Sequence, residues 1–258
     1  MWTFFAAATL LTALAGTPAT EEAPAAGPDE ATPTGSDATL TPDPGPKPEP
    51  EPEPDPDPEP EPPSDAEEEA AGKLLGMVGS TYEAGDHRSA KGFLEKLHTK
   101  YPGTQAQQMS TDILRMLAIV DRPIPTAWDS HVAQWFTPDQ DLQFERGVVV
   151  VLFWEVWCPH CMQELPDWQK RYEAFAPQGL QLVAFTQVTR DATPDKVRGF
   201  IGVHGLTFPI AQEDGTISTA NAVRSIPSAA VYQNGTVIFR GHPSLITDEL
   251  LSEWLHTP

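Results

Sequence analysis

The chain of 258 residues contains two cysteines, Cys158 and Cys161, both inside the run FWEVWCPHC that extends from Phe153 to Cys161. Thiols at that spacing lie one helical turn apart if they open a helix. Cys158 would then sit at the helix start, where unpaired backbone N–H groups and the helix dipole favour a thiolate, and a thiolate is a nucleophile. The second thiol is close enough to attack a mixed disulfide formed on the first and release the bound partner, which is the two-step exchange open to a dithiol. Other uses of paired cysteines fit less well. A structural zinc site needs about four ligands, and only His160 is at hand besides the thiols. A haem attachment motif needs histidine directly after the second cysteine, where Met162 stands. A purely structural disulfide gains little from closing so short a loop. The pair therefore reads as redox-active. The remaining histidines, His87, His98, His131, His204, His242 and His256, are scattered and read as ordinary surface or packing residues.

The elements that must position the dithiol follow from pattern. Val148 to Phe153 is a continuous apolar run that reads as a buried strand ending just before the cysteines, and Met162 to Phe175 is amphipathic at helical spacing. Leu180 to Thr186 reads as a second strand and Pro194 to Val203 as a helix. Phe208 to Ile210 reads as a short strand, and Ala229 to Tyr232 pairs with Thr236 to Arg240 across the turn Asn234-Gly235. A closing helix runs from Thr247 to Leu255. This is an α/β plan with the cysteines at a strand-to-helix junction.

The run VLFWEVWCPHCMQELPDWQ and the tail VRSIPSAAVYQNGTVIFRGHPSLITDELLSEWL resemble thioredoxin, and the first of them is similar to its exported TlpA/ResA-type branch. The resemblance spans about Thr126 to His256. It implies a thioredoxin-like fold, a mixed sheet flanked by helices, with Pro227 in the cis form opposite the cysteines. By the same resemblance the Pro227 ring shields the thiols and the Ile226 backbone pairs with the substrate strand. Trp157 is the family's ring beside the nucleophile, and Pro166 falls where the family kinks the active-site helix. The interval from Cys161 to Pro227 suits the extra strand and helix of the TlpA/ResA branch and looks too short for the helical insertion of the DsbA family. Leu152 stands where thioredoxin has a buried acid, so proton transfer must fall elsewhere. Glu164 matches the position of an active-site glutamate in ResA-like proteins and is preferred for moving the proton of Cys161. Glu155, one residue past the buried strand, is the second candidate or simply solvated. The dipeptide Pro159-His160 is that of DsbA-like oxidants, and a partly charged His160 beside the thiolate would raise the potential. The branch implies the opposite, a reductant recharged by a membrane thiol reductase, and reduction or exchange is preferred over oxidation. Implied substrates are envelope proteins with disulfides or thiols, including apocytochrome c and copper-site proteins, and no dissociable cofactor is required. A reading of another class makes the chain a docking or copper-handling protein, with Cu(I) on the two thiols and His160.

The chain before this region divides in three. Residues 1–16, MWTFFAAATLLTALAG, read as a secretory signal peptide, with a membrane anchor as the alternative. Residues 17–65 are rich in Pro, Glu, Asp, Ala and Thr, with proline alternating almost strictly with Glu and Asp between Pro46 and Pro63, and read as a disordered, extended linker. Residues 1 to 65 hold 14 of the 37 acidic residues and one of the 16 basic ones, so −13 of the net charge of −21 lies there. The mildly acidic remainder has no basic stripe for phosphates, which argues against a nucleic-acid partner. Residues 66–122 read as three helices, with Gly85, Ala90 and Pro102 at tetratricopeptide-like (TPR-like) spacing. One such unit cannot bury its own apolar face, so it should pack on its neighbour domain, residues 126–258, or on an unknown partner. Export to the periplasm or cell envelope of a bacterium follows if the signal is cleaved.

Overall fold

Six consecutive apolar residues form strand β2 (Val148–Phe153), and all six are buried. A strand buried on both faces needs a layer on each, and the alternation of its side chains assigns them. The computed structural model describes residues 61–124, 127–139 and 141–257. The expected signal over 1–16 and the linker up to residue 60 lie outside the described residues.

The sheet also contains β1 (Val132–Trp135), β3 (Leu180–Thr186), β4 (Ile210–Glu213), β5 (Ser228–Gln233) and β6 (Thr236–Gly241), in the order β1-β4-β3-β2-β5-β6. β3 runs parallel to β2 and β4, whereas β1, β5 and β6 are antiparallel to their neighbours. Val148, Val150 and Leu152 share a core with helices α4 (Pro159–Phe175), α5 (Pro194–His204) and α7 (Asp248–His256). Val149, Val151 and Phe153 share a second core with α1 (Asp65–Glu83), α2 (His87–Lys100), α3 (Gln105–Leu117) and the short α6 (Thr216–Ala220). The fold is thioredoxin-like: a mixed sheet flanked by helices.

The three N-terminal helices belong to the same compact unit as the sheet. α1 opens at Asp65 under a capping box: Ser64 Oγ accepts the Glu67 N–H, and the Glu67 carboxylate accepts the Ser64 N–H at 2.8 Å. The helical segment thus begins one residue before 66. Leu94 and Leu97 of α2 are fully buried. After α3 the backbone joins β6, with the Asp121 N–H donating to the Val237 carbonyl at 2.8 Å and the Val237 N–H to that of Arg122 at 2.9 Å. The outer edge of β6, otherwise a row of open donors and acceptors, is covered by the chain's own backbone there. Close approach completes the docking: a Cβ at Gly241 would meet Tyr82 Oη at 2.7 Å. Much of the apolar side of α1–α3 is therefore spent on the sheet.

Two elements lie outside the sequence expectation. β1 is a half-buried edge strand, and α6 has five residues without helical periodicity, its N-terminal N–H groups bonded to Glu213. Two boundaries also move. α4 starts at Pro159 and not at Met162, because Cys158 caps it and proline is favoured at the first helical position. β4 occupies Ile210–Glu213 and not 208–210, since Pro209 has no N–H to give a ladder.

Candidate active site

From Phe153 the chain passes through Trp154-Glu155-Val156-Trp157 into α4, and this crossover builds the site. Cys158 Sγ accepts the N–H of Cys161 at 3.3 Å and so caps the helix. Both thiols are free. Cys158 keeps 5 % of its surface exposed and Cys161 none, so a reagent meets Cys158 first. Opposite stands the loop before β5, in which the Ile226–Pro227 peptide is cis and the Ile226 carbonyl faces Cys158 Sγ at 3.9 Å. Pro227 is buried and Ile226 half-buried.

Trp157 is half-buried and donates its Nε1–H to Thr189 Oγ1 at 3.2 Å. The Arg190 guanidinium lies over its ring, 3.6 Å from the centroid. Pro159 and His160 are exposed on the first turn of α4. Residues including Phe153, Glu155, Trp157, Thr189, Arg224 and Ile226 line a cavity of about 230 Å³ beside the dithiol.

The two candidate acids separate clearly. Glu155 is 5 % exposed, and its carboxylate accepts from Thr186 Oγ1 at 3.1 Å, the Gln187 N–H at 3.1 Å, Thr189 Oγ1 at 3.2 Å and the Thr189 N–H at 3.4 Å. No cation among the described residues pairs with it. The loop that supplies these donors is strained: Val188 has φ +58° and Arg190 φ +57°, a region a β-branched residue rarely enters. Turned this way, the N–H groups of Gln187 and Thr189 point at the carboxylate and that of Val188 at Thr186 Oγ1. Burial pushes the Cys161 thiol pKa up, and its hydrogen bond with Cys158 and the Cys158 and Glu155 charges push the same way, against a hydrogen bond with the Glu155 backbone that pulls it down. Glu164 is half-buried on α4, and its carboxylate makes no hydrogen bond or ion pair among the described residues. Of the two acids, Glu155 is the one whose charge bears on the Cys161 thiol, while Glu164, the acid preferred from sequence, lies on α4 three residues past Cys161.

Sequence reading also passed over Thr186, Gln187 and Thr189. One signal was available. In an open sheet with parallel strands, sites gather at the strands' carboxyl ends; Thr186 ends β3, the parallel neighbour of β2, and Gln187 and Thr189 follow it. For the copper-handling alternative, the described residues contain no group of three or more His, Cys, Asp or Glu side chains placed to hold a metal ion.

A dithiol capping the helix after a central strand, faced by a cis-proline loop on a mixed sheet, defines a thioredoxin-like protein. The model of the AhpC/TSA family matches residues 138–240. Sporulation thiol-disulfide oxidoreductase A of Bacillus subtilis is 31 % identical over 111 residues, covering 42 % of this chain and 67 % of that protein. ResA of Halalkalibacterium halodurans is 27 % identical over 114 residues, covering 44 % of this chain and 63 % of the relative, less than two thirds of its length. Among solved structures, StoA from Bacillus subtilis is similar at 29 % identity and a TM-score of 0.37, covering 43 % of this chain and 83 % of that one. The chain carries a thioredoxin-like AhpC/TSA domain over residues 138–240 and stands close to the ResA/StoA thiol-disulfide oxidoreductases. α1–α3 precede the matched residues.

Proposed function

We propose that the protein is an exported thiol-disulfide oxidoreductase that reduces or exchanges disulfides in bacterial envelope proteins. The observation that carries this reading is the division of the dithiol: Cys158 at the helix cap with an exposed edge, Cys161 wholly buried near an acid. Cys158, as thiolate, attacks one sulfur of the substrate disulfide, forming a mixed disulfide and releasing the other sulfur as a thiolate. Cys161 then attacks Cys158 Sγ, closing the Cys158–Cys161 disulfide and freeing the second substrate sulfur. Two electrons pass from the protein to the substrate. A thiol that burial keeps protonated needs a base to take part, and Glu155 takes the Cys161 proton and returns it to the departing thiolate.

Ile226 and Pro227 present the substrate strand beside Cys158, Trp157 shields the sulfur, and His160 with Pro159 tunes the couple. The names of the relatives support the reaction class. Export rests on residues 1–16. Apocytochrome c cysteines and copper-site proteins are the substrate classes, with a membrane thiol reductase as electron donor. The equilibrium reduction potential against a glutathione buffer tests the direction. A value near or below about −230 mV fits a reductant, and one near about −120 mV would make the protein a DsbA-like oxidant.

A further inference from the structure

Arg240, on β6, is 2 % exposed and has no carboxylate partner among the described residues. Its Nε donates to the Asn221 carbonyl at 2.6 Å. One terminal nitrogen donates to Ser228 Oγ at 2.8 Å and to the Ala229 carbonyl at 3.3 Å, the other to the Ala222 carbonyl at 3.2 Å. These acceptors stand on both sides of Ile226 and Pro227. The guanidinium thus ties the two feet of the loop whose crest carries the Ile226 carbonyl toward Cys158.

The same residue is held from behind. Its backbone N–H donates to His87 Nδ1 at 3.0 Å. A backbone N–H can only donate, so Nδ1 is the acceptor and the imidazole proton sits on Nε2, 3.2 Å from the Tyr82 carbonyl. The His87 ring is stacked between Tyr82 and Phe239, with centroids at 4.5 and 4.1 Å. Through this contact α2 backs the strand that carries the brace.

A buried cation without an anion is costly, and an apolar side chain of similar length would fill the space without that cost. Five N–H donors in a rigid plane can do what an apolar chain cannot, which is to fix several carbonyls at once. A substrate strand that pairs with a loop already held in place loses less freedom on binding. We propose that Arg240 is a positioning residue for substrate, bracing the 221–229 loop beside Cys158, and that α1–α3 serve this site by holding Arg240 through His87.

The inference rests on the oxidoreductase reading, and two readouts keep them apart. The first is the rate constant of the reduced full-length protein with a disulfide-bonded peptide, divided by its rate constant with iodoacetamide, a reagent too small to need the loop. Arg240→Met should lower this ratio about tenfold or more, Ser228→Ala by a smaller factor, and His87→Phe in the same direction. An unchanged ratio in a folded Arg240→Met overturns the proposal. If that variant does not fold, an unchanged ratio in Ser228→Ala overturns it. The second readout is amide hydrogen exchange over residues 222–230, which Arg240→Met, or Ser228→Ala if the former does not fold, should accelerate; unaltered exchange contradicts the brace. Should the unsubstituted protein alkylate at Cys158 yet fail to react with disulfides, the oxidoreductase reading falls and exchange alone decides the brace.

Discussion

Glu155 brings a negative charge inside the protein and meets it with four hydrogen-bond donors from three residues, Thr186, Gln187 and Thr189. The four donors fix the carboxylate in one position, the position from which Glu155 is proposed to shuttle the Cys161 proton. Glu155→Gln keeps most of these contacts and removes the acceptor. The resolving step, read as release of the second substrate thiol in stopped flow, should slow about a hundredfold, while iodoacetamide alkylation of Cys158 changes little. Equal slowing by Glu164→Gln would contradict the assignment. The dithiol itself was fully legible in the sequence, because two cysteines at helical spacing after an apolar run leave few other readings. The acid was not. Its burial is created by the 187–190 loop, and the strained backbone at Val188 and Arg190 has no signature in residue type.

At the scale of elements, the central strands and the main helices were legible because long apolar runs stand between glycine and proline breakers. β1 and α6 were not, since a half-buried edge strand and a five-residue helix carry too little pattern. The docking of α1–α3 was legible only as a need for cover. Its strength can be tested in the core: Leu94→Ala should cost about 2–5 kcal/mol of stability, and helices and sheet should still unfold in one transition. Two transitions by circular dichroism and tryptophan fluorescence would mean that the helices fold apart. His87 gives this contact a pH dependence. Burial depresses its pKa from 6.5 to about 4, against the pull of Asp86, and the Arg240 charge adds to the depression. The folded state therefore favours neutral imidazole, so the contribution is complete above pH 6.5 and is lost as the pH falls toward 4, when the unfolded chain takes up a proton the folded one refuses. Urea unfolding at pH 7 and pH 5 should differ by about 1–2 kcal/mol from this residue. His87→Phe, which keeps the stacking and removes the titration, should reduce that difference; an unaltered slope would contradict the contact.

For the whole molecule, charge and chemistry lie in different parts of the chain. Residues 1 to 65 hold −13 of the −21 net charge, whereas the core described here starts at the Ser64 cap. Removal of residues 1–60 should leave the melting temperature and the reduction potential of the dithiol unchanged within error, and a shift in either would give the acidic segment a part in the site. That two cores lie on opposite faces of one sheet explains why the helical segment could be recognised in the sequence while the face it covers could not: the cover for the second face comes from three helices that all precede the sheet in the chain, the last ending at Leu117 before β1 begins at Val132. The most direct test of the account is to mix the Cys161→Ser protein, in full length, with a disulfide-bonded protein substrate and to locate the adduct by mass spectrometry. A mixed disulfide on Cys158, absent from the Cys158→Ser protein, is the predicted result. No adduct on Cys158 would contradict the assignment of this dithiol to disulfide exchange.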